Sequence, residues 1–208
     1  MKKLLAVTMF AAVIGTAAFA EAPAFALSAG AGGLFSYNFG GGVMNGDDGV
    51  SIPYLGGGFF AFFDATYAEV NVGMDFGSAT LKGEGAYADY IEDTKMSATN
   101  LNIGVLGKYP ISLGSVVLFP AIGINYRVTL AVKDEDGNEM DEPGDFSALS
   151  FLFGGGLDYG IGEKLYLRGE VLYSIRLASK FESDQEQGDA KYNLGHGPTV
   201  KVAVGYKF

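Results

Sequence analysis

The chain has 208 residues, which is enough for one domain and too few for two of good size. Its 32 glycines and 13% aromatic residues are typical of a β-rich protein in which backbones approach closely. The net charge of −10 argues against a nucleic-acid partner, because neutralising phosphates needs a basic patch, and the absence of cysteine excludes disulfides and thiolate chemistry.

The first 20 residues have the pattern of an export signal. Two lysines precede an apolar run over 4–14, and Ala18-Phe19-Ala20 matches a small-residue cleavage site. The alternative is a retained membrane helix, but the apolar part ends in small residues and falls short of the ~20 strongly apolar residues that a helical span needs. We therefore predict a signal peptide at 1–20 and a mature domain at 21–208.

Apolar residues alternate with polar or small ones in eight segments of the mature chain, and this period of two predicts strands with one apolar face. The predicted strands span 24–38, 55–65, 67–79, 97–109, 115–131, 147–159, 164–178 and 198–208. The phase of the second strand stays open, because Phe59, Phe60, Phe62 and Phe63 occupy both of its faces.

Short and long connections alternate between these strands. Those after strands two, four and six are short, whereas the other four are long and cover 39–54, 80–96, 132–146 and 179–195. An up-and-down barrel with both termini at one side explains this alternation, with the long loops at the far side. Seventeen of the 24 acidic residues fall in the long loops, so that side should be strongly acidic.

The alternation alone does not say which face is the inside, because a soluble lipocalin-like barrel reverses the polarity of a membrane barrel. Three features favour the membrane barrel. First, the alternate strand residues that are not apolar are often glycine or alanine. Second, aromatic residues on the apolar face gather near the strand ends, as in the girdles of membrane barrels. Third, the terminal Phe208 has no role in a lipocalin. We therefore predict an all-β fold, an eight-stranded antiparallel up-and-down transmembrane β-barrel.

The chain ends on an amphipathic strand with Tyr206 and Phe208 on its apolar face. This ending resembles the terminal strand of bacterial outer-membrane β-barrels, which is read by the barrel assembly machinery. With its strand and loop pattern, the mature chain resembles the small outer-membrane barrels of the OmpX, Ail and OmpW type. The resemblance implies an outer-membrane location, the lipid bilayer and the assembly machinery as partners, and Tyr206 and Phe208 as the assembly signal; we also expect a monomer.

The resemblance leaves two functions open. OmpW-like members are linked to passage of small hydrophobic molecules, whereas OmpX-like and Ail-like members are structural or adhesion proteins whose partners lie on host surfaces. The residues that we predict to line the lumen are Glu69, Asp75, Gly104, Arg127, Leu152, Gly156, Arg168, Glu170, Leu172, Arg176 and Lys201.

Two interpretations of this lumen follow from its residues. Charges of both signs predict a plug of salt bridges, because buried charges need partners. The small and apolar residues, together with Phe60 and Phe62, instead suit a pocket or narrow passage for a small hydrophobic ligand. If the passage exists, a bulky residue at Gly104 or Gly156 should abolish ligand uptake.

Signals for catalysis and metal binding are weak. His196 is the only histidine and has no serine at a nearby spacing, so we expect no enzyme. Asp134, Asp136 and Asn138 match three positions of an EF-hand loop, but its central glycine and final glutamate are missing, and Asp136-Gly137 indicates a hairpin turn. We therefore expect no metal site and no cofactor.

Overall fold

The computed structural model describes residues 26–45, 48–85, 88, 93–179 and 191–208. Most of these residues lie in strands, and no helix among them has the length and hydrophobicity needed to cross a membrane. The predicted signal peptide and most of the fourth long connection lie outside the described residues, so both stay predictions.

The described part of the chain contains nine strands and one 3-10 helix at Pro143–Phe146. Their bounds are β1 (Ser28–Asn45), β2 (Asp48–Asp64), β3 (Ala68–Glu84), β4 (Thr94–Lys108), β5 (Ile111–Leu113), β6 (Val116–Lys133), β7 (Ala148–Ile161), β8 (Leu165–Ser179) and β9 (Lys191–Lys207). β5 is a short addition that pairs with the beginning of β6, and the other eight strands form the wall.

All pairings are antiparallel, and the sheet closes on itself. The order β4-β3-β2-β1-β9-β8-β7-β6 returns to its start because β4 also pairs with β6. The first and last strands pair along their length, from Ser28 opposite Lys207 to Val43 opposite Lys191. The predicted eight-stranded antiparallel up-and-down barrel is therefore confirmed.

The short connections and the carboxyl terminus lie at one end of the barrel, which we call the turn side; the opposite end is the loop side. Thr66 closes the β2–β3 turn with a positive φ of 64°, an uncommon conformation for a residue other than glycine. Its Oγ1 accepts a hydrogen bond from the Ala26 amide at 2.7 Å and donates one to the Ala26 carbonyl at 2.9 Å. The turn is thereby tied to the chain just before β1.

The outer surface of the wall is apolar, as the alternation predicts. Val202 is 62% exposed and Ile122 is 60% exposed, and alternate residues on every long strand repeat this pattern. The inward-facing residues of the strands are buried polar and charged side chains together with two small apolar clusters. The second strand's phase is now resolved, since Phe59 and Phe63 face outward while Phe60 and Phe62 are buried inside.

The strands run further toward the loop side than the sequence predicts. Residues 39–54, predicted as a loop, are mostly strand, because β1 and β2 stay paired from Phe39 opposite Pro53 to Asn45 opposite Asp48. Strand pairing uses backbone groups that every residue other than proline carries in full. The ladder can therefore continue after the apolar alternation, on which the prediction relied, has ended.

Candidate functional site

The residues predicted to line the lumen all lie at inward-facing positions of the barrel wall. Eight are buried and three are partly buried; the buried ones are Glu69, Asp75, Gly104, Leu152, Arg168, Glu170, Leu172 and Lys201, and the partly buried ones are Arg127, Gly156 and Arg176. They do not form one site. Glu69, Arg168 and Glu170 belong to ionic groups near the turn side, and Asp75, Arg127, Leu152, Leu172 and Lys201 line a small cavity nearer the loop side. Gly104, Gly156 and Arg176 lie outside both.

The centre of the ionic cluster is the Arg168 guanidinium on β8. Its Nε and Nη2 donate to the two carboxylate oxygens of Asp158, each at 2.7 Å, in a bidentate arrangement. Its Nη1 donates to Glu69 at 2.6 Å, and Nη2 also donates to Asp64 at 2.6 Å. Lys108 on β4 forms a further ion pair with Asp64. We call Arg168, Asp64, Glu69, Asp158 and Lys108 the Arg168 cluster.

The Arg168 cluster spans the barrel from wall to wall. Arg168 and Asp158 lie on neighbouring strands, whereas Asp64 and Glu69 come from β2 and β3 on the far side of the ring. The Arg168 side chain is 1% exposed and those of Asp64 and Glu69 are 5% or less. Charges buried this deeply are stable only when paired and hydrogen-bonded. Here the three guanidinium nitrogens make four hydrogen bonds to carboxylates, two of them from Nη2.

Aromatic rings fill the space around the Arg168 cluster. The Arg168 Cζ lies 4.4 Å from the ring centroid of Phe62, 5.2 Å from that of Phe119 and 5.3 Å from that of Tyr166. Tyr166 also forms a 2.8 Å hydrogen bond with Ser28 on β1. Because ring faces attract a cation, these contacts hold the guanidinium while excluding water from the middle of the barrel.

Glu170 and Lys201 form the next layer toward the loop side. Lys201 Nζ lies 3.5 Å from a Glu170 carboxylate oxygen and 4.9 Å from the Phe60 ring centroid. A Glu170 carboxylate oxygen also lies 3.9 Å from Arg168 Nη1 and so connects this layer to the Arg168 cluster. The layer continues the blockage of the lumen.

A second polar group, the Asp75 cluster, surrounds the carboxylate of Asp75 on β3. Tyr54 and Asn100 donate to one carboxylate oxygen, and Asn102 donates to the other at 2.5 Å. Asn125 Nδ2 in turn donates to Asn102 Oδ1 at 3.1 Å. The acceptors of Asp75 are thus used by neutral donors, with no cation among these hydrogen-bonding partners.

A cavity of about 50 Å³ lies between the Asp75 cluster and the Glu170–Lys201 layer. Its wall has a polar part, in which Ser36, Asn102 and Arg127 take part, and an apolar part formed by Leu34, Phe60, Leu152 and Leu172. Ligand pockets for drug-sized molecules occupy about 300–1,000 Å³. The cavity is large enough only for a few water molecules or a very small solute.

Gly104 and Gly156 are tightly packed against side chains of the lumen, and a passage at these positions stays a prediction. A Cβ added at Gly104 would lie 2.6 Å from the Asn71 side chain, and one added at Gly156 would lie 2.5 Å from the Phe119 ring. Their missing side chains make room for these neighbours. A bulky residue at either position would therefore disturb packing whether or not a ligand passes.

Several residues of the lumen are absent from the predicted lining, among them Tyr166, Phe119 and Lys108. Tyr166 has the same parity as Arg168, Phe119 the same parity as Arg127, and Lys108 stands opposite the outward Tyr109. Parity alone could have found these three. Tyr54 could not be found in this way, because it falls in a stretch predicted as a loop.

His196 and Asp134, the residues with weak signals for catalysis and metal binding, are both hydrogen-bonded to neighbouring residues. His196 Nδ1 shares a 2.5 Å hydrogen bond with the Tyr173 hydroxyl, and the His196 and Tyr173 rings stack with their centroids 5.8 Å apart. Asp134 accepts hydrogen bonds from the backbone and side chain of Asn138 in the turn that contains Gly137. Among the described residues, no group of three or more His, Cys, Asp or Glu side chains is arranged to hold a metal ion.

The terminal aromatic residues lie on the outer surface at the turn side. Tyr206 is 42% exposed and Phe208 is 72% exposed, with their ring centroids 5.9 Å apart. The Phe208 amide donates to the Leu27 carbonyl at 3.0 Å, so the final residue is anchored beside the beginning of β1. Their role as an assembly signal stays a prediction.

A family model for the outer membrane protein beta-barrel domain matches residues 4–208. The chain belongs to this family. It is an outer-membrane β-barrel, and its apolar band faces the lipid bilayer, as both the fold and the family indicate. The predicted family and location are therefore confirmed.

Solved structures with a similar fold are also small outer-membrane barrels. OprG from Pseudomonas aeruginosa is 12% identical with a TM-score of 0.50, and the match covers 89% of this chain and 96% of that one. Ail from Yersinia pestis is 12% identical with a TM-score of 0.38, covering 88% and 99%. A search of curated protein sequences finds no match. At this identity the likeness to OprG concerns the fold alone.

Proposed function

We propose that the protein is a closed, non-enzymatic outer-membrane barrel that acts through its loop side at the cell surface rather than by conducting solutes. The observation that supports this proposal is the filled lumen. The Arg168 cluster, Phe62, Phe119 and Tyr166 occupy the barrel from wall to wall near the turn side. Eight strands enclose a space that side chains can fill, so this state needs no additional plug domain.

The length of the strands supports a role at the surface. β1 and β6 each have 18 residues, and β2, β3 and β9 each have 17. At ~3.3 Å per residue and a tilt of about 40°, such a strand rises about 43 Å, whereas the outward apolar band of these barrels is about 25 Å tall. The wall therefore continues well beyond the lipid and carries its loops away from the membrane.

The loop between β6 and β7 gives this platform a strong negative charge. Glu135, Asp136, Glu139, Asp141 and Glu142 are all exposed there. Charges arranged in this way attract a basic surface and accelerate its association. We propose a basic patch on a host or neighbouring-cell surface protein as the partner.

Conductance measurements on the refolded protein in planar bilayers test the closed lumen. The unaltered protein should give no steady channel, whereas the double variant Phe62→Ala, Phe119→Ala should conduct, because it removes two of the rings around Arg168. The matched control is Phe59→Ala, which removes an outward ring and should stay silent. A steady channel in the unaltered protein would overturn the closed state.

Whole-cell binding tests the surface role. Replacing Glu135, Asp136, Glu139, Asp141 and Glu142 by Gln or Asn should weaken adhesion to host cells, with the effect decreasing as salt screens the charges. The control is cells that lack the protein. Other acidic residues, such as Asp158 and Glu170, are unsuitable as control positions because replacing them would disturb the lumen. Unchanged adhesion would remove the acidic loop from the proposal.

A second candidate is passage of small hydrophobic molecules, which the sequence placed first. The observation that favours it is the apolar part of the cavity wall, formed by Leu34, Phe60, Leu152 and Leu172. Leu152→Trp would fill this cavity. Uptake of an apolar dye into vesicles that contain the protein, lost in Leu152→Trp while the fold is kept, would support passage; equal uptake with protein-free vesicles would refute it.

A further inference from the structure

We propose that the loop-side cavity of the lumen is a binding site for a small carboxylate anion, with Arg127 as its main anchor. The proposal is independent of the surface role, because a closed barrel can still hold a solute above its blockage. It depends on the hydrogen-bonding capacity, the charge and the size of the cavity.

On the loop side of the lumen, the buried polar groups that lack a hydrogen-bond partner are mainly donors. Arg127 Nε, Asn38 Nδ2 and the Ser36 hydroxyl are buried without a hydrogen-bond partner among the described residues. Ser36, which is 2% exposed, and Arg127 both line the cavity, and Ser174 on its wall donates to Asn38 at 3.0 Å. Because unsatisfied buried donors are costly, these groups favour a ligand rich in acceptors.

The acceptors of the cavity wall, in contrast, are already used. Asp75 receives hydrogen bonds from Tyr54, Asn100 and Asn102, and the side-chain Oδ1 of Asn102 receives one from Asn125. The two carboxylate oxygens of Glu170 also lack hydrogen bonds, but Glu170 does not line the cavity and faces Lys201 at 3.5 Å and Arg168 at 3.9 Å. A cation would therefore find no free carboxylate on the wall.

The wall carries one negative charge, at Asp75, whose oxygens are already taken by neutral donors, and its positive charges are those of Arg127 and Lys201. Lys201 is matched by Glu170, whereas Arg127 forms no ion pair with a carboxylate among the described residues. The Arg127 guanidinium instead lies over the Tyr54 ring, with Cζ 5.2 Å from the centroid. A planar guanidinium held in this way presents its donors in a fixed fork that matches a carboxylate.

The size of the cavity sets the size of the ligand. A cavity needs about 10–15 Å³ to hold one water molecule, so a cavity of about 50 Å³ accepts three to five non-hydrogen atoms. Acetate has four such atoms. Its methyl group would meet the apolar part of the wall, where Leu152 and Leu172 lie.

Carbon-13 NMR titration of the refolded protein in detergent micelles, with carboxyl-labelled acetate as the probe, tests the proposal. We expect saturable binding that is at least tenfold tighter than binding of acetamide, its neutral isostere, because hydrogen bonds to a charged acceptor are stronger than those to a neutral one. Methylammonium, a cation of similar size, should not compete. Absence of saturable acetate binding, or equal binding of acetamide, would overturn the proposal.

Substitutions locate the site. Arg127→Gln should weaken acetate binding at least tenfold, whereas the control Lys207→Gln, which removes a cation over the Tyr166 ring at the turn side, should change it less than twofold. Circular dichroism and electrophoretic mobility report whether each variant is folded. If Arg127→Gln does not fold, Ser36→Ala decides in its place: weaker binding than in Lys207→Gln supports the site. Equal effects of the cavity and control variants would indicate general charge attraction and refute it.

Discussion

Replacing Arg168 by Met should cost the barrel a large part of its stability. The substitution keeps a long apolar side chain among Phe62, Phe119 and Tyr166 but removes the hydrogen bonds to Asp64, Glu69 and Asp158. Each of the four donor–acceptor contacts, at 2.6 to 2.7 Å, is charge-assisted and contributes about 1.5–3 kcal/mol when considered alone. These contributions are not additive, and breaking a buried ion pair by removing one partner typically costs about 3–5 kcal/mol.

Urea unfolding of the refolded protein in micelles measures this loss in the free energy of unfolding. The chain has no tryptophan, so circular dichroism and electrophoretic mobility are suitable probes. The control is Lys133→Met, because the Lys133–Glu139 pair at 3.3 Å is largely exposed and should contribute at most about 1 kcal/mol. Adding Glu69→Gln and Asp158→Asn to Arg168→Met should recover about half of the loss, since they remove the unpaired charges. A loss below about 1 kcal/mol, or no recovery, would refute the reasoning.

Three smaller predictions concern a close approach, a loop and the terminus. Gly32→Ala should lower the free energy of unfolding by about 1–3 kcal/mol, because its Cβ would lie 1.9 Å from a backbone oxygen, whereas Gly144→Ala, with open space around it, should not. The side-chain and backbone hydrogen bonds from Asn138 lower the pKa of Asp134. They should therefore stabilise this turn fully above the usual aspartate pKa of about 3.9, and the stabilisation should be lost as pH falls through the lowered pKa. A pH titration followed by NMR of the Asn138 backbone amide measures this loss, and a midpoint at or above the usual pKa would contradict the prediction. Phe208→Ala should reduce the amount assembled in the outer membrane of cells while leaving refolding in detergent intact; a matching refolding defect would point to stability rather than to an assembly signal.

The outer face of the barrel could be predicted from the sequence, whereas the organisation of its inner face could not. Val200, Val202 and Val204 alternate with small or cationic residues, and a lipid-facing wall allows only apolar side chains there. The lumen has no such uniform rule, since its residues satisfy one another across the barrel. Nothing in the spacing of Glu69 and Arg168, 99 positions apart, indicates that they meet.

The second strand shows the same limit at one location. Its four phenylalanines are equivalent in hydrophobicity, and the choice between the two faces depends on what lies across the lumen. Phe62 packs against Arg168 and Phe60 against Lys201, and these cations fix the phase. The extension of β1 and β2 beyond the apolar alternation was missed for a different reason, because it depends on backbone pairing alone.

The position of Arg168 has a consequence for how the barrel comes apart. Its partners on β2 and β3 are not neighbours of β8 in the sheet, so these contacts exist only when the cylinder is complete. A half-formed sheet leaves the same carboxylates in water at no cost. The cluster should therefore slow unfolding far more than it speeds folding, and it gives the cylinder an all-or-none character that pairing between adjacent strands alone does not provide.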